Sequence, residues 1–440
     1  MFFIKKVAVV KLSLKLISVF FSLVISTSVL SQSVPPPESE VRKQLPLEEL
    51  RRFSEVFDRI KNSYVEPVDD AKVLEDAIRG MISGLDPHSS YLEPEAFDEL
   101  REHTSGEFGG VGIEISLEDG FIRVIAPIDD TPAVSAGIKA GDLITRIDDE
   151  SVKSMGLNDA IKRMRGKPGT EIVLTVLRDG EDKPLNIEVV RDVIKVTSVK
   201  HRMLGEQYAY IRITQFQGNT GADLKKALGK VQEKNPLQGI ILDLRNNPGG
   251  VLQAAVEVVD AFIDKGMIVY TQGRLASADT EFMATADVVL AKVPMVVLIN
   301  SGSASASEIV AGALQDHKRA VIMGTGSFGK GSVQTILPLT QRRALKLTTA
   351  RYFTPSGRTI QAKGIQPDVV VEEAELKKVE GRGFPKEKDL SGHLFNGQAN
   401  KPKDTELEEA QKGLSQRDYQ LYEALNLLKA LSIIGKVTAS

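Results

Sequence analysis

The segments Asn300-Ser-Gly-Ser-Ala-Ser-Ala-Ser-Glu308 and Gly324-Thr-Gly-Ser-Phe-Gly-Lys330-Gly-Ser-Val-Gln334 carry the most information about how this chain folds. The first follows a strand-like run at 295–300 and leads into a helix-like run at 306–315, so small serines stand at a strand-to-helix turn. The second carries a lysine and can fold back against this turn. These residue types are those of a serine nucleophile with a lysine base.

Strand-like and helix-like segments also alternate on both sides of this turn. Residues 237–244 are strand-like and lead through Arg245-Asn-Asn-Pro-Gly-Gly250 into a helix-like run at 251–264. After the helix at 306–315, residues 320–323 are strand-like again. This order predicts an α/β domain whose strands are largely parallel.

Residues 106–192 have a different pattern from the α/β region, with short alternating strands, glycine turns and one helix around 157–164. Five or six strands with one or two helices in about 85 residues predict a small β-barrel-like module. The predicted strands cover residues 111–116, 121–126, 142–147, 171–178 and 185–190.

Helices are predicted at both ends of the folded chain. Apolar residues recur at helical intervals at 50–60 and 73–78, ahead of the turn-rich Asp86-Pro-His-Ser-Ser-Tyr-Leu92. Residues 379–416 are polar and charged, and a last amphipathic helix follows them. Its apolar stripe needs a partner, either the protein's own core or another subunit. The stripe consists of Leu421, Ala424, Leu425, Leu428 and Leu431.

The N-terminus has the features of a secretory signal peptide. Lysines at positions 5, 6, 11 and 15 precede an apolar run at 16–30, and Val29 and Ser31 suit a cleavage site. The run is short for a membrane span of about 20 residues, although an uncleaved anchor is the alternative. A proline-rich, charged linker follows. We therefore expect a periplasmic or otherwise extracytoplasmic protein, tethered to the membrane if the signal is retained.

Composition excludes several functional classes. The chain has 440 residues, of which 42% are hydrophobic, enough for two or three domains. A net charge of −3 gives no long-range attraction to nucleic acid or to an anionic membrane. The sequence contains no cysteine, which removes disulfides, a thiolate nucleophile and cysteine zinc sites. We expect neither a metal nor a cofactor.

Histidine is a poor candidate for the base. The chain has five histidines, none in a motif typical of histidine-dependent serine proteases, and His317 lies at the far end of the predicted helix, about 18 Å from its start. Lysine can serve if its pKa falls from about 10.4 to about 7–8, which costs about 3–5 kcal/mol. The surroundings of Lys330 suit this demand, because Phe328 and Val333 are apolar and the stretch holds no acidic residue.

Ser303, Ser305 and Ser307 compete for the role of nucleophile. Ser305 and Glu308 match a capping box, in which the serine only closes the helix start. The same position also lies where free N–H groups and the helix dipole stabilise a developing oxyanion. It therefore suits an acyl-transfer nucleophile as well as a cap.

Two backbone regions are expected to hold the oxyanion. The N–H of Ala306 is one donor. The turn at 247–250 can supply a second, from Gly249 or Gly250, because glycine lets the backbone approach a substrate closely. Taken alone, this turn is an ordinary strand-to-helix connection.

Lys330 also completes part of a phosphate-binding loop pattern that begins at Gly324. The match fails at Gly331, which replaces the magnesium-binding Ser or Thr, and the following residues favour a strand over a helix. If residues 331–337 are extended, Lys330 and Gln334 share one face, since side chains alternate with period two. Gln334 is then placed to orient the lysine amine.

Together these motifs resemble the carboxy-terminal processing proteases, the S41 family of serine peptidases with an embedded PDZ domain. The likeness covers nearly all of the chain after the signal, although Ser327 stands where the family more often has threonine. It is carried by Asp86-Pro-His-Ser-Ser-Tyr-Leu92, Gly109-Gly-Val-Gly-Ile113, Ser135-Ala-Gly-Ile-Lys-Ala-Gly-Asp142, Arg165-Gly-Lys-Pro-Gly-Thr170, Leu242-Asp-Leu-Arg-Asn-Asn-Pro-Gly-Gly250, Ser303-Ala-Ser-Ala-Ser-Glu-Ile309, Phe328-Gly-Lys-Gly-Ser-Val-Gln334 and Thr354-Pro-Ser-Gly-Arg358.

The resemblance implies an α/β protease core, a ClpP/crotonase-like β-α spiral, with an inserted PDZ β-module and helical N- and C-terminal segments. It makes Ser305 the nucleophile, Lys330 the general base and Gln334 its orienting partner. The implied oxyanion donors are Ala306 and one of Gly249 and Gly250.

For the module at 106–192, a PDZ domain implies capture of an extended C-terminal tail by strand addition, with backbone N–H groups holding its carboxylate. Arg165 is a candidate sensor of the bound tail, although a solvated helix-end charge is the plainer role. The peptide-binding loop consists of Gly109, Gly110, Val111, Gly112 and Ile113.

The sequence therefore predicts an exported serine endopeptidase that binds protein C-terminal tails and cuts near them. Its partners are tailed proteins, with no nucleic acid, and the terminal helices suggest a homodimer. The rival hypotheses are a catalytically silent PDZ scaffold and a histidine-dependent HtrA-type protease. The expected segments are a signal peptide at 1–31, a linker at 32–44, an N-terminal helical region at 45–105, a PDZ domain at 106–192, a protease core at 193–378 and a polar segment with a helix at 379–440.

Overall fold

The computed structural model describes residues 45–118, 120–233, 236–286, 288–290, 293–374, 386–387, 390–394, 414–415 and 417–438. The predicted signal peptide, the linker at 32–44 and most of the polar segment at 379–416 lie outside these residues. The chain divides into two units, residues 1–73 and residues 74–440.

Helices and strands are numbered in chain order. The helices are α1 (Leu47–Ser63), α2 (Asp70–Ser83), α3 (Pro94–Ser105), α4 (Pro132–Ser135), α5 (Leu157–Met164), α6 (Thr220–Gln232), α7 (Leu252–Asp260), α8 (Ala306–Asp316) and a C-terminal helix (Tyr419–Thr438). The strands are β1 (Ser90–Leu92), β2 (Glu107–Gly110), β3 (Ile113–Glu118), β4 (Phe121–Pro127), β5 (Leu143–Ile147), β6 (Glu150–Ser151), β7 (Glu171–Leu177), β8 (Leu185–Val190), β9 (Asp192–Lys195), β10 (Val199–Leu204), β11 (Tyr208–Ile213), β12 (Gly239–Asp243), β13 (Met267–Gly273), β14 (Thr280–Met283), β15 (Met295–Ile299), β16 (Val321–Gly324), β17 (Ser332–Pro338), β18 (Ala344–Phe353) and β19 (Val369–Val370).

The first unit contains α1, the amphipathic helix predicted around 50–60. Two glutamates stand in its first turn and a lysine in its last, which complements the helix dipole. None of its side chains, all of which the structure describes, is buried. Its exposed apolar residues include Leu50, Phe53, Val56 and Ile60.

Residues 113–190 form a small antiparallel module with the sheet order β3-β4-β5-β7-β8, and β6 pairs with β5. Alternate side chains of β4 and β7 are fully buried in one core, and α5 buries Ala160 and Met164 against it. The predicted helix at 157–164 is present. The first strand of this sheet, β3, begins at Ile113, whereas the sequence predicted a start at residue 111. The difference arises because Gly112 has φ +82° and interrupts the extended backbone.

A largely parallel sheet with the order β10-β11-β12-β15-β16-β19 forms the predicted α/β core; only the β10–β11 pair in it is antiparallel. On β15, Val297 and Ile299 face the core that contains α6, α7 and α8, while Val296 and Leu298 face the opposite side. Burial on both faces accounts for the continuous apolar runs of these strands. The helix predicted at 251–264 ends at Asp260, and its apolar pattern continues because the following turn is also buried.

The C-terminal helix packs on the second face of this sheet. Leu421, Ala424, Leu425 and Leu428 are buried there against residues of β11, β12, β15 and β16. The apolar stripe predicted from the sequence therefore has its partner in the protein's own core.

The structure also contains a second, antiparallel sheet, of which the sequence predicted only the strand at 331–337. Its order is β1-β18-β13-β14, and β17 pairs with β18. The pairing brings the Asp86–Leu92 segment onto β18, with Ser90 opposite Lys346. The turns after β12 and β15, at the carboxyl ends of the parallel strands, face the start of β17 across the cavity described below.

Candidate active site

Ser305 is the residue immediately before α8, and its backbone is strained. It has φ +57° and ψ −113°, a positive-φ conformation that non-glycine residues seldom adopt. Such strain costs about 1–3 kcal/mol and is concentrated at functional sites, which makes this residue a candidate for function. The strand-to-helix turn predicted from the sequence is therefore present, with the serine at its sharpest point.

Burial separates the three serines that compete for the role of nucleophile. Ser303 is fully buried, and its hydroxyl donates to the carbonyl of Leu244 at 2.8 Å. Ser307 is also fully buried, and its hydroxyl donates to the carbonyl of Asn247 at 2.9 Å. Only Ser305 of the three is partly exposed and lines a cavity.

The cavity has a volume of about 400 Å³ and collects every predicted residue of the catalytic and oxyanion sites. Its lining also includes three residues of α3, which covers one side, and two of β18. The predicted site residues in the lining are Ser305, Ala306, Lys330, Gln334, Gly249 and Gly250.

The glycine turn lies directly against the serine. A Cβ placed on Gly249 would lie 2.8 Å from the Cβ of Ser305 and 2.9 Å from the nitrogen of Ala306, so only glycine fits there. The N–H of Gly249 already donates to the Asn247 side chain at 2.9 Å. Among the described residues, no hydrogen bond uses the N–H of Gly250 or of Ala306. Of the predicted oxyanion donors, the N–H groups of Gly250 and Ala306 are therefore without a partner in the described part of the chain.

Lys330 lies half-buried in the same cavity. Burial lowers the pKa of its ammonium, and the neighbouring charge of Lys346 lowers it further. Glu308 and Asp86 oppose this shift with their negative charges. The local stretch holds no acidic residue, as the sequence indicated, but the fold brings both carboxylates from elsewhere in the chain. Phe328, expected beside the lysine, is 63% exposed.

Glu308 connects the turn that carries Ser305 with the loop that carries Lys330. Its carboxylate accepts hydrogen bonds from the N–H of Ser305 at 2.7 Å and from the N–H of Lys330 at 2.9 Å. The hydroxyl of Ser327 and the N–H of Gly329 donate to it as well, both at 2.6 Å. Burial raises the pKa of this carboxyl, whereas its four donors favour the charged form. One buried side chain therefore fixes the spacing of the two backbones.

Gln334 lies on β17 with its amide turned toward β18. Its Nε2 donates to Ser332 Oγ at 2.9 Å and to Thr348 Oγ1 at 3.3 Å. A register shift between Val333 and Gln334 interrupts the simple alternation expected along this strand. Among the described residues, no hydrogen bond joins the Lys330 ammonium to Gln334 or to Ser305.

Tyr352 is the site residue that sequence reasoning missed. It is 2% exposed, its hydroxyl donates to the carbonyl of Lys330, and it lies within hydrogen-bonding reach of the Ser305 side chain. Burial raises its pKa, so the phenol stays neutral. No local motif indicates this role; the only signal was its position two residues before the Thr354–Arg358 motif.

His317 ends α8 at the far side from the serine. Its Nε2 lies 2.7 Å from the carbonyl oxygen of Met267, which fixes the ring away from the cavity. Among the residues the structure describes, no group of three or more histidine, aspartate and glutamate side chains is placed to hold a metal ion.

Comparison with known proteins identifies the family. The model of peptidase family S41 matches residues 207–371, the part that carries the cavity. A carboxy-terminal-processing protease of Bartonella bacilliformis is 51% identical over 350 residues, which cover 79% of this chain and 80% of that protein. The chain belongs to the carboxy-terminal processing proteases of family S41. It is therefore a serine-type peptidase and not a catalytically silent PDZ scaffold.

Other matches extend over the rest of the protease. A PDZ model matches residues 109–189, and the model of the activating protease CtpB N-terminal domain matches residues 20–96. A "Probable CtpA-like serine protease" of Staphylococcus aureus is 38% identical over 327 residues, 73% of this chain and 65% of that protein. Among solved structures, the photosystem II D1 C-terminal processing protease is 29% identical with a TM-score of 0.43, covering 74% of this chain and 93% of that one.

The glycine run of the PDZ domain lies beside the end of α5. The N–H of Gly166 donates to the carbonyl of Gly109 at 3.1 Å, and a Cβ on Gly110 would lie 3.7 Å from the carbonyl oxygen of Met164. Val111 is buried, and Ile113 begins β3. The predicted loop is in part a strand, since Gly109 and Gly110 belong to β2, which pairs with β9. The glycine run and the helix of the module are neighbours.

Arg165, the predicted sensor, is not simply solvated. Its guanidinium pairs with Glu102 of α3 and lies 4.8 Å above the ring of Phe108. Leu100, His103 and Thr104 of the same helix line the catalytic cavity. A single helix thus contacts the PDZ domain on one side and the cavity on the other.

No described helix has the length and apolar character needed to cross a bilayer.

Proposed function

We propose that this protease is an exported endopeptidase that binds protein C-terminal tails through its PDZ domain and cleaves nearby through an acyl-enzyme on Ser305. The observation that carries the proposal is the strained serine at the start of α8, facing the same cavity as a half-buried lysine. The chemistry needs only side chains and backbone N–H groups of this chain.

In the proposed reaction, the neutral amine of Lys330 takes the proton of Ser305 Oγ as Oγ bonds to the scissile carbonyl carbon. The electron pair of the carbonyl moves to its oxygen, which accepts hydrogen bonds from the N–H groups of Ala306 and Gly250. The C–N bond then breaks, and the leaving amine takes the proton from Lys330. Water attacks the ester in the same way, and the lysine returns the proton to Oγ.

The proposed nucleophile and base are not hydrogen-bonded to each other in this structure, so the reaction needs a rearrangement that brings the two side chains together. We propose that a tail bound to the PDZ domain favours the aligned arrangement. Support comes from α3, because Arg165 reaches it through Glu102 and three of its residues line the cavity.

Location, domain bounds and assembly are part of the same proposal. The lysine-rich and apolar N-terminus supports export to the periplasm or another extracytoplasmic site, with an uncleaved tether as the variant. We propose a PDZ domain at 106–192, a protease core at 193–378 and helical regions at 45–105 and within 379–440. The exposed apolar face of α1 supports a homodimer.

The test of this function uses an unfolded protein with an apolar C-terminal tail, prepared with either a free carboxylate or a C-terminal amide. We expect the free form to be cleaved with a kcat/KM at least about tenfold higher, because hydrogen bonds to a charged group contribute about 1.5–3 kcal/mol. Mass spectrometry of the fragments locates the cut. Equal cleavage of both forms would contradict recognition of the tail, and fragments from Ser305→Ala would contradict the chemistry.

The proposed coupling predicts a selective effect of Glu102→Gln. Both partners of its ion pair with Arg165 are about one-third exposed, so the pair contributes less than about 1 kcal/mol. We expect the ratio of kcat/KM for a tailed protein to that for a small generic peptide to fall about three- to fivefold. Glu99→Gln, an exposed glutamate on the same helix, is the matched control. An equal fall of kcat/KM for the tailed protein and for the small peptide would argue against coupling.

A further inference from the structure

The Asp86–Leu92 motif has been described so far only through the charge of Asp86, yet it lies next to β18, the strand that pairs with the one carrying Gln334. β1, at the end of this motif, pairs with β18, and β18 pairs with β17. In that register Gln334 stands opposite Thr348. The motif is therefore one strand away from the predicted partner of the base.

A chain of hydrogen bonds connects Asp86 to Gln334. Asp86 Oδ1 accepts from the N–H groups of His88 and Ser89, at 2.8 and 2.9 Å, which fixes the carboxylate within its own turn. The hydroxyl of Thr348 donates to the same oxygen at 3.1 Å. Thr348 Oγ1 in turn accepts from Nε2 of Gln334 at 3.3 Å.

The direction of these bonds follows from the chemistry of the groups. An ionised carboxylate only accepts hydrogen bonds, and the hydroxyl of Thr348 has a single proton, which goes to Asp86. The threonine oxygen can then only accept, so the NH₂ end of the Gln334 amide must face it. The carbonyl end of the amide is left pointing elsewhere. The pKa of Asp86 is lowered by its four hydrogen-bond donors, against its burial, which keeps it ionised.

The orientation of the amide matters to a lysine base. A neutral amine that donates an N–H to an acceptor on one side directs its lone pair to another. The Oε1 atom of Gln334 is such an acceptor, whereas an amide turned the other way would present a second donor to Lys330. Ser332 Oγ, the other partner of Nε2 at 2.9 Å, is a hydroxyl that can donate or accept, so it does not by itself fix the orientation of the amide.

We propose that Asp86 and Thr348 are positioning residues that hold the Gln334 amide with its carbonyl oxygen available to Lys330. This inference rests on the proposed function, in which Gln334 orients the lysine. It assigns a role to a segment 244 positions before the base, counted from Asp86 to Lys330.

The test compares Thr348→Val, which removes the hydroxyl and keeps the shape, with Thr348→Ser, which keeps the hydroxyl. We expect Thr348→Val to lower kcat about tenfold with KM within about twofold, and Thr348→Ser to stay within about twofold of wild type. Asp86→Ala, which removes the acceptor of the Thr348 hydroxyl, should also lower kcat. Thermal unfolding and tail binding, measured on each variant, show whether it is folded.

The deciding measurement repeats Thr348→Val in a Gln334→Ala background. If the threonine acts through the glutamine, Thr348→Val lowers kcat by less than about twofold when Gln334→Ala is already present. An equal tenfold loss in both backgrounds, or a fully active Thr348→Val, overturns the inference while the proposed serine–lysine function stands. If Gln334→Ala alone is fully active, the assigned role of Gln334 fails, and this inference fails with it.

Discussion

Ser305→Ala is expected to lower kcat/KM for an unfolded, tailed protein by about 10⁴- to 10⁶-fold. Without Oγ no acyl-enzyme can form, and the hydroxyls of Ser303 and Ser307 cannot replace it because both are fully buried and donate to backbone carbonyls. The measurement is the rate of fragment formation at low substrate concentration, together with tail affinity by calorimetry. Tail affinity should be unchanged, since the PDZ domain is intact.

The matched control is Ser301→Ala, an exposed serine in the same turn, which should retain full activity. If Ser305→Ala keeps more than about 1% of the wild-type rate, another residue must be the nucleophile. The strained backbone at Ser305 would then require a different explanation.

Lys330→Ala is expected to lower kcat by about 10²- to 10⁴-fold, the usual contribution of a positioned general base. Lys330→Arg should not restore the rate, because a guanidinium stays charged and cannot accept the serine proton. Single-turnover kinetics on a tailed substrate measure the effect directly. Activity close to wild type in either variant would contradict the role of the lysine.

The same assignment predicts the direction of the pH dependence. A lysine acts as a base only when neutral, so kcat/KM should fall as pH drops through the lowered pKa of Lys330. The charge of Lys346 contributes to that lowering. Lys346→Gln should therefore raise the pKa of Lys330 and move the acidic limb to higher pH, whereas Lys346→Arg, which keeps the charge, should not. If the acidic limb of the pH–rate profile lies at the same pH in the wild type, Lys346→Gln and Lys346→Arg, another group must be titrating.

Local patterns in the sequence were sufficient for the elements that form the site. The capping pattern predicted the start of α8 and the serine at it, because a helix N-terminus depends on a few neighbouring residues. The apolar runs predicted the parallel strands, since strands buried on both faces are continuously hydrophobic. Several separate motifs in one order also resembled a single family, which the comparison confirmed.

The surroundings of the lysine could not be predicted in the same way. The local stretch holds no acidic residue, yet the structure places Glu308 and Asp86 close enough to oppose the lowering of the Lys330 pKa. Tyr352, whose hydroxyl contacts the Lys330 carbonyl, arrives from a different strand. Such contacts depend on strand register and on the path of the chain, neither of which periodicity records.

The amino-acid sequence by itself determined the family and the strand-to-helix turn that presents Ser305, and it singled out the lysine that we propose as the base, because these follow from short-range spacing. Only the tertiary structure decided which serine is accessible, which glycine N–H is free, and which carboxylates face Lys330. Those properties depend on burial and on pairing between residues up to hundreds of positions apart. The physical reason is that the sequence carries conformational preferences locally, whereas solvation and charge at the site depend on everything that packs around it.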